Sequence, residues 1–454
     1  MSFSPHRLQA ILQSGPSARR YVVAYSGGCD STALLHALST LATHWSDCRI
    51  AALHVDHGWH RDSAQWAHHC QAIAQEWGVP CHVLTLAGDA SPGQNREAAA
   101  RAARYAAMAQ QLEPGDMLLT AHHREDQAET VLLQMLRGAG PRGLAAMPLW
   151  MPLDAERWHG RPLLATGRDV LRQYAQHYDL TWIDDPSNFD ADLDRNYLRH
   201  AVWPALQERW PGLAGTLSRV AQLQSECAQL LDALGAQDLA AQQSVARDTL
   251  SVAQLNALEP ARRRNVLRHW LMQCGLPMPS QAQLAAIEND VLLARWDATP
   301  AVTWPGACVR RYRDALYATA PPAAHDPLWQ APWPMYLPLT LPSGLGALHV
   351  DHVHGRGLKT LVCRTENISV RFRRGGEQCR PVDSAHARDL KNLFQEWGVP
   401  PWERDRIPLL YVGEQLAHVV GHVYCVPFAA APDEPGLDVL WVRNDSAEKN
   451  VSRP

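Results

Sequence analysis

No C-x-x-C pair occurs anywhere among the ten cysteines, which lie scattered at positions 29, 48, 70, 81, 227, 274, 308, 363, 379 and 425. Their spacing argues against zinc ribbons, cysteine-held iron–sulfur clusters and C-x-x-C dithiol chemistry. Also missing is any run approaching the roughly 20 apolar residues of a membrane span, and the N-terminus MSFSPHRLQAILQSG lacks the apolar stretch of a secretory signal. The expectation is a reduced, cytoplasmic protein with no membrane partner. Excess positive charge is absent too: the formal net charge is −4, so any affinity for nucleic acid must come from local patches. The Walker pattern G-x-x-x-x-G-K and a dinucleotide G-x-G-x-x-G at the first strand's turn are both missing, which weighs against the chemistry those loops support.

What is present is an ordinary globular composition, 46% hydrophobic and 19% charged, over 454 residues, enough for two to three domains. From Tyr21 to about Trp182, short apolar runs alternate with amphipathic stretches, the pattern of an α/β domain with a parallel sheet wrapped by helices. Strands are expected at 21–25, 50–55, 82–86 and 117–120, with helices at 31–43, 63–77 and 94–112 between them. From about Trp210 an Ala/Leu/Gln-rich stretch reads as a long helix or a helical pair. Residues 260–273 read as another helix, carrying Arg262, Arg263, Arg264 and Arg268. The proline-dense segment 321–342 reads as a linker or irregular crossing. Beyond it, strand-like runs at 368–372 and 409–412 flank a helix at 385–397. The expected division is a catalytic domain at 1–210, a mainly helical domain at 211–320, a linker at 321–345 and a small α+β domain at 346–454.

The first strand runs into Ser26-Gly27-Gly28-Cys29-Asp30-Ser31 and then into a helix. Two glycines at a strand-to-helix turn let backbone N–H groups converge on a phosphate, and Ser26 and Ser31 add hydroxyls. A carboxylate beside phosphate needs a divalent cation, so Asp30 implies magnesium. Further along, Asp126 and Glu129 are three apart at a helix start, on one face, where they suit a magnesium shell or the steering of an amine; a plain capping cluster would look similar. His122 and His123 are consecutive and diverge, which disfavours zinc. Glu97, Arg101, Arg104 and Tyr105 share a helical flank, either a phosphate clamp or a surface ion pair beside a core tyrosine.

The hexapeptide resembles the pyrophosphate loop (PP-loop) of the ATP pyrophosphatases, which adenylate a substrate and release pyrophosphate. Four further segments are similar to those of the tRNA(Ile)-lysidine synthetases, and a weaker similarity continuing to Trp397-Gly398-Val399-Pro400-Pro401-Trp402 with Arg404-Asp405 implies the family's long bacterial form. The four are Leu53-His54-Val55-Asp56-His57-Gly58, the helix from Asn95 to Tyr105, Thr120 to Thr130, and Trp182 to Asn188 with Asp194 to Arg199. They match in order and spacing over roughly the first 210 residues. One departure is Cys29, where an aliphatic residue is expected; a buried thiol packs as a small hydrophobe.

The resemblance implies ATP and Mg2+ as cofactors, free L-lysine and an isoleucine tRNA with a CAU anticodon as partners, and leaves a homodimer open. It places ATP against Ser26 to Ser31, His54 and His57. It makes Asp30, Asp126, Glu129 and Arg195 the catalytic candidates, with Glu97, Arg101, Arg104, His122, His123 and Asn196 toward substrate or tRNA. Between His354 and Gly376, Arg356, Lys359, Arg364, Arg371, Arg373 and Arg374 face only Glu366, an excess of five positive charges. With Arg262 to Arg268 they form two candidate phosphate-contacting patches, or else solvated faces with acidic neighbours. The competing readings are a tRNA cytidine thiolase, disfavoured by the missing cysteine pairs, a tRNA-binding protein with a degenerate loop, and a small-molecule amide synthetase.

Overall fold

The structure, a computed structural model, describes residues 3–45, 49–56, 58, 62–86, 96–184, 194–242, 248–321, 323–365, 367–382 and 384–443. It divides into two compact units, residues 1–234 and 235–454.

In the first unit the elements run α1 (Pro5–Gln13), β1 (Arg20–Ala24), α2 (Cys29–Ala42), β2 (Ile50–Asp56), α3 (Ser63–Glu76), β3 (Cys81–Thr85), α4 (Arg96–Gln110) and β4 (Asp116–Leu119). They continue through α5 (Arg124–Leu136), α6 (Pro141–Leu144), β5 (Trp150–Pro152), β6 (Trp158–Gly160), α7 (Arg168–His177) and α8 (Asp194–Tyr197). The sheet order is β3-β2-β1-β4-β6-β5, parallel throughout except that β5 runs antiparallel to β6. All four expected strands are present. The sequence pattern missed β5 and β6 because three-residue strands are too short to show a period, and Pro152 sits on an edge strand, where a missing N–H is tolerated.

Strand alternation divides the core. Tyr21, Val23 and Tyr25 pack with Leu34, Leu38 and Leu171 on one face, while Val22 meets Met108, Leu112 and Leu118 on the other. Burial on both faces is why these strands read as continuous apolar runs. The chain leaves β3 at one edge and returns as β4 on the far side of β1, so the topological switch lies between β1 and β4. Ligands of open α/β sheets bind in the crevice outside the strands' carboxyl ends there. After α8 come a π-helical turn (Leu198–Val202), α9 (Trp203–Arg209) and α10 (Leu213–Ala240), a single helix where the sequence also allowed a pair.

In the second unit the helix Pro260–Gln273 forms as read, and its neighbours Val252–Ala257 and Gln281–Ala286 share a core with a four-stranded antiparallel sheet that the helical pattern did not announce. Strands Ile368–Arg371 and Leu409–Val412 pair antiparallel within a five-stranded sheet. The proline-rich stretch contributes Gln330–Pro332 to that sheet's edge and Leu339–Thr340 to another, with Trp333 buried between them in sequence. The helix expected from 385 is Leu390–Glu396, because Arg388–Asp389 is drawn into a strand pair with Gln378–Cys379.

Candidate active site

Buried Tyr25 follows β1, and the chain turns at Gly27, whose φ of +83° is the left-handed conformation that favours glycine. A Cβ there would lie 2.7 Å from Ile183 Cδ1 and 2.8 Å from Cys70 Sγ, so the turn is closely covered. Gly28 occupies the N-cap of α2 and supplies no side-chain cap. The helix's first-turn N–H groups therefore keep the positive end of the dipole available to an anion. Ser31 donates to the Gly28 carbonyl at 3.0 Å, and the Ser26 and Ser31 hydroxyls are 3.0 Å apart. Cys29 is half-buried, and burial followed by the nearby Asp30 pushes its thiol up to about 11, so it packs as a neutral group. His54 lies buried on β2 with Nδ1 2.9 Å from the Tyr25 carbonyl, its pKa lowered by burial. It braces the loop's base. His57 falls outside the described residues.

The loop after β4 meets this turn through His123. Its Nδ1 lies 3.1 Å from Glu125 Oε2, and its Nε2 lies 3.6 Å from Asp30 Oδ2 and 3.4 Å from Asp126 Oδ2. The Asp126 N–H also points toward Nδ1 at 3.4 Å, but one nitrogen cannot accept there while donating to Glu125; the shorter, charge-assisted contact prevails. Burial alone would lower the His123 pKa, yet Asp126, Glu125 and Asp30 together raise it. His123 thus sits among three carboxylates that favour its protonated form.

Those carboxylates are pushed apart. Burial, with Asp126 adding repulsion, raises the Asp30 pKa against the pull of His123. Burial would raise Asp126 as well, but His123, Arg195 and His122 outweigh it and hold the carboxyl at about 2. Asp126 accepts the His123 N–H at 3.0 Å, capping α5, and its other oxygen faces Arg195 at 3.3 Å and Arg199 at 3.2 Å. It is cap and charge centre at once.

One turn on, buried Glu129 is held by Arg195 Nε at 2.9 Å and by Arg199 Nε at 2.7 Å and Nη2 at 2.8 Å. With both oxygens engaged, Glu129 anchors the two guanidiniums. Asn196 is buried on the same short helix. His122 Nδ1 lies 2.8 Å from the Thr120 hydroxyl, which also meets His159 Nε2 at 2.9 Å, so His122 is oriented from the sheet. Every cation of this cluster is a guanidinium or an imidazole.

Glu125 and Arg168 were not singled out from the sequence, and Arg199 was marked only as the end of the segment Asp194 to Arg199, with no role assigned. Glu125 also accepts the Arg168 N–H at 2.9 Å, tying the start of α7 to the site, and Arg168 lies near enough to Asp30 to draw its pKa downward. Arg199 was legible only as four residues after Arg195 on a helix; its hold on Glu129 spans 70 residues. Arg104 is exposed on α4, while the side chains of Glu97 and Arg101 and the segment 185–193 lie outside the described residues.

The structure brings together Ser26 to Ser31, Asp30, His123, Asp126, Glu129 and Arg195. It leaves Arg371, Arg373 and Arg374 in the second unit, each already engaged. Arg371 forks onto Glu414 at 2.8 and 2.9 Å and lies over Tyr411, Arg373 pairs with Asp405 at 3.0 Å, and Arg374 donates to the Leu328 carbonyl at 2.9 Å. In the other basic patch Arg262 pairs with Asp238, and Arg263 and Arg264 with Glu288.

The residue set also fits a divalent cation. Asp30 presents a partly exposed carboxylate whose charge is disfavoured where it stands, next to a second carboxylate and an uncapped helix terminus. Magnesium is commonly held by one or two carboxylates plus substrate phosphates, keeping its remaining waters.

Family models match the chain as a PP-loop domain over residues 3–206, a TilS substrate binding domain over 250–317 and a TilS substrate C-terminal domain over 368–441. The chain is 41% identical over 440 residues to the tRNA(Ile)-lysidine synthase of Coxiella burnetii, covering 96% of each. It is 42% identical over 424 residues to that of Methylococcus capsulatus, covering 93% of this chain and 96% of the relative. Among solved structures, a U34-tRNA thiolase from Methanococcus maripaludis aligns at a TM-score of 0.41 and 14% identity, over 49% of this chain and 78% of the other.

Proposed function

Because the chain belongs to the tRNA(Ile)-lysidine synthase family, we propose that the cluster at the β1–β4 switch adenylates the first anticodon cytidine of an isoleucine tRNA and joins free lysine to it. The cytidine C2 oxygen attacks the α-phosphorus of ATP and pyrophosphate leaves. The ε-amine of lysine then attacks C2, AMP departs with the oxygen, and the nitrogen sheds a proton. The product reads AUA in place of AUG and is charged with isoleucine in place of methionine. The observation that carries this reading is the convergence of the uncapped Ser26–Ser31 turn with His123 and Asp126.

Each residue has a role in that sequence. The loop N–H groups and the Ser26 and Ser31 hydroxyls receive the pyrophosphate, while His54 supports the nucleotide pocket from beneath and His57 is assigned to ATP by the family resemblance alone. Asp30, with Asp126 beside it, would hold magnesium, which when bound offsets phosphate charge. Arg195 and Arg199, fixed by Glu129, face the charge that develops on the α-phosphate. Lysine must attack as the neutral amine although its ordinary pKa is about 10.4. Asp126, ionised throughout the neutral range, binds the incoming ammonium. His122, His123 and Asn196 border the substrate, and the family resemblance assigns Glu97, Arg101 and Arg104 to substrate or tRNA as well. No protein nucleophile is required; the chain contributes position and field.

The proposed division of labour is catalysis in 1–210, with tRNA held by 211–320 and 346–454, the latter through Arg371, Arg373 and Arg374. The reaction belongs in the cytoplasm, where the tRNA, ATP and lysine are; a homodimer would show in the solution mass. Mass spectrometry of a CAU-anticodon isoleucine tRNA after incubation with ATP and lysine tests the reading. Lysine minus water should be added at the first anticodon base, and pyrophosphate release should require that tRNA. Asp30→Ala should abolish both while preserving the fold by circular dichroism. Pyrophosphate release without tRNA would point instead to a small-molecule synthetase, and an unaltered rate in Asp30→Ala would remove Asp30 from the site.

A further inference from the structure

Far from the catalytic cluster in sequence, two buried thiols touch. Cys379 lies on the short strand paired with Arg388–Asp389, and Cys425 follows the strand Val423–Tyr424. Their sulfurs are 2.6 Å apart, closer than unbonded sulfurs rest and only a fraction of an ångström beyond a disulfide bond of about 2.05 Å. Both residues are 2% exposed, in the core formed with Leu390, Phe394 and Leu416. The backbones on either side are already joined: Val426 donates to the Arg380 carbonyl at 2.9 Å, and Cys425 bridges antiparallel to Pro381. Backbone pairing thus already holds the two segments side by side at the thiols. The absence of C-x-x-C spacing could not reveal this pair, since 46 residues separate its members.

We propose that Cys379 and Cys425 are a disulfide-forming pair, a modification site that reversibly closes the 379–425 segment when the chain meets a peroxide or a low-molecular-weight disulfide. The contact makes the two thiols unequal: sharing a proton with Cys425 holds Cys379 below the ordinary thiol range, and the same contact, with burial, pushes Cys425 above it. Cys379 is therefore the sulfur that reacts first. Its thiolate attacks a peroxide oxygen, giving a sulfenic acid and releasing the other oxygen as water once protonated. The Cys425 sulfur then attacks the sulfenic sulfur, forming the S–S bond and expelling a second water. In sum, two thiols and one hydrogen peroxide give one disulfide and two waters. A thiol reductant reverses the closure by exchange.

The closed loop encloses the helix Leu390–Glu396 and the strands Leu409–Val412 and Gln415–Val419, so the bond constrains much of this module in the unfolded chain. The test uses the full chain, reduced and then treated with hydrogen peroxide, with remaining thiols alkylated in denaturant and the protein digested without reductant. One cross-linked peptide pair containing Cys379 and Cys425 is expected, lighter by two hydrogens than the reduced peptides and lost on adding dithiothreitol. Thermal unfolding of the oxidised chain should move upward by about 10 °C for the transition of this module. Cys379→Ala should abolish both the cross-link and the shift; because that variant could lose stability by itself, the peptide map of the unmodified chain decides. Recovery of both residues as alkylated monomers, while the exposed Cys227 and Cys274 are oxidised, would overturn the proposal.

Discussion

Asp126 is the residue on which most of the site's charge converges, and its depressed pKa makes a stability prediction. A carboxylate held at about 2 against an ordinary 3.8 contributes about 2 kcal/mol at neutral pH. That stabilisation is fully present above the ordinary value and is lost as pH falls toward about 2. Asp126→Asn is therefore expected to lower the urea midpoint by a constant amount from pH 7 to about 4, with the gap to the parent narrowing below that. Adenylation should also slow severely. A gap independent of pH down to 2 would mean that the amide reproduces the cap and that the charge adds nothing to folding. At this scale the sequence was informative about Asp126 and Glu129, whose three-residue spacing put them on one face in chain order. It was silent about what they face, because Arg199 reaches Glu129 across 70 residues and no local periodicity encodes that contact.

The elements tell a similar story with a different boundary. The helix Pro260–Gln273 was legible to its ends since proline suits a first turn, and α2 was legible because the loop before it has its own chemistry. Short strands such as β5, β6 and Gln330–Pro332 were not, because pairing partners, and not their own composition, make them strands. The turn between β1 and α2 offers the clearest test of an element as a unit. Gly27→Ala places a Cβ in a left-handed backbone and against Ile183 and Cys70. We expect a loss of about 2 kcal/mol in folding stability, from backbone strain and overpacking together. ATP affinity should fall more steeply than stability, because the N–H groups that cradle phosphate move with the turn. Equilibrium unfolding and ATP titration separate the two effects, and wild-type ATP affinity in the variant would show that the loop's path is not set by Gly27.

For the whole molecule, the net charge of −4 and the pairing of Arg371 and Arg373 with carboxylates leave less free positive charge in the second unit than a count of residues implies. Replacing Arg371, Arg373 and Arg374 together with alanine is expected to reduce the slope of log tRNA affinity against log salt by about 1, the share of a single phosphate contact. A change of about 3 would mean that tRNA draws all three from their partners, and no change would leave the cluster as a structural face. ATP binding serves as the control. The lysine-free character of the candidate cluster has another consequence for a reaction whose second step consumes a primary amine. No lysine occurs in the chain before Lys359, so the unit that carries the cluster has no ε-amine of its own. Guanidinium groups stay protonated at any working pH and do not attack electrophiles. On the proposed reading, an adenylated base beside Arg195 and Arg199 is stabilised by guanidinium groups that do not attack it, and no ε-amine of that unit competes with free lysine for it.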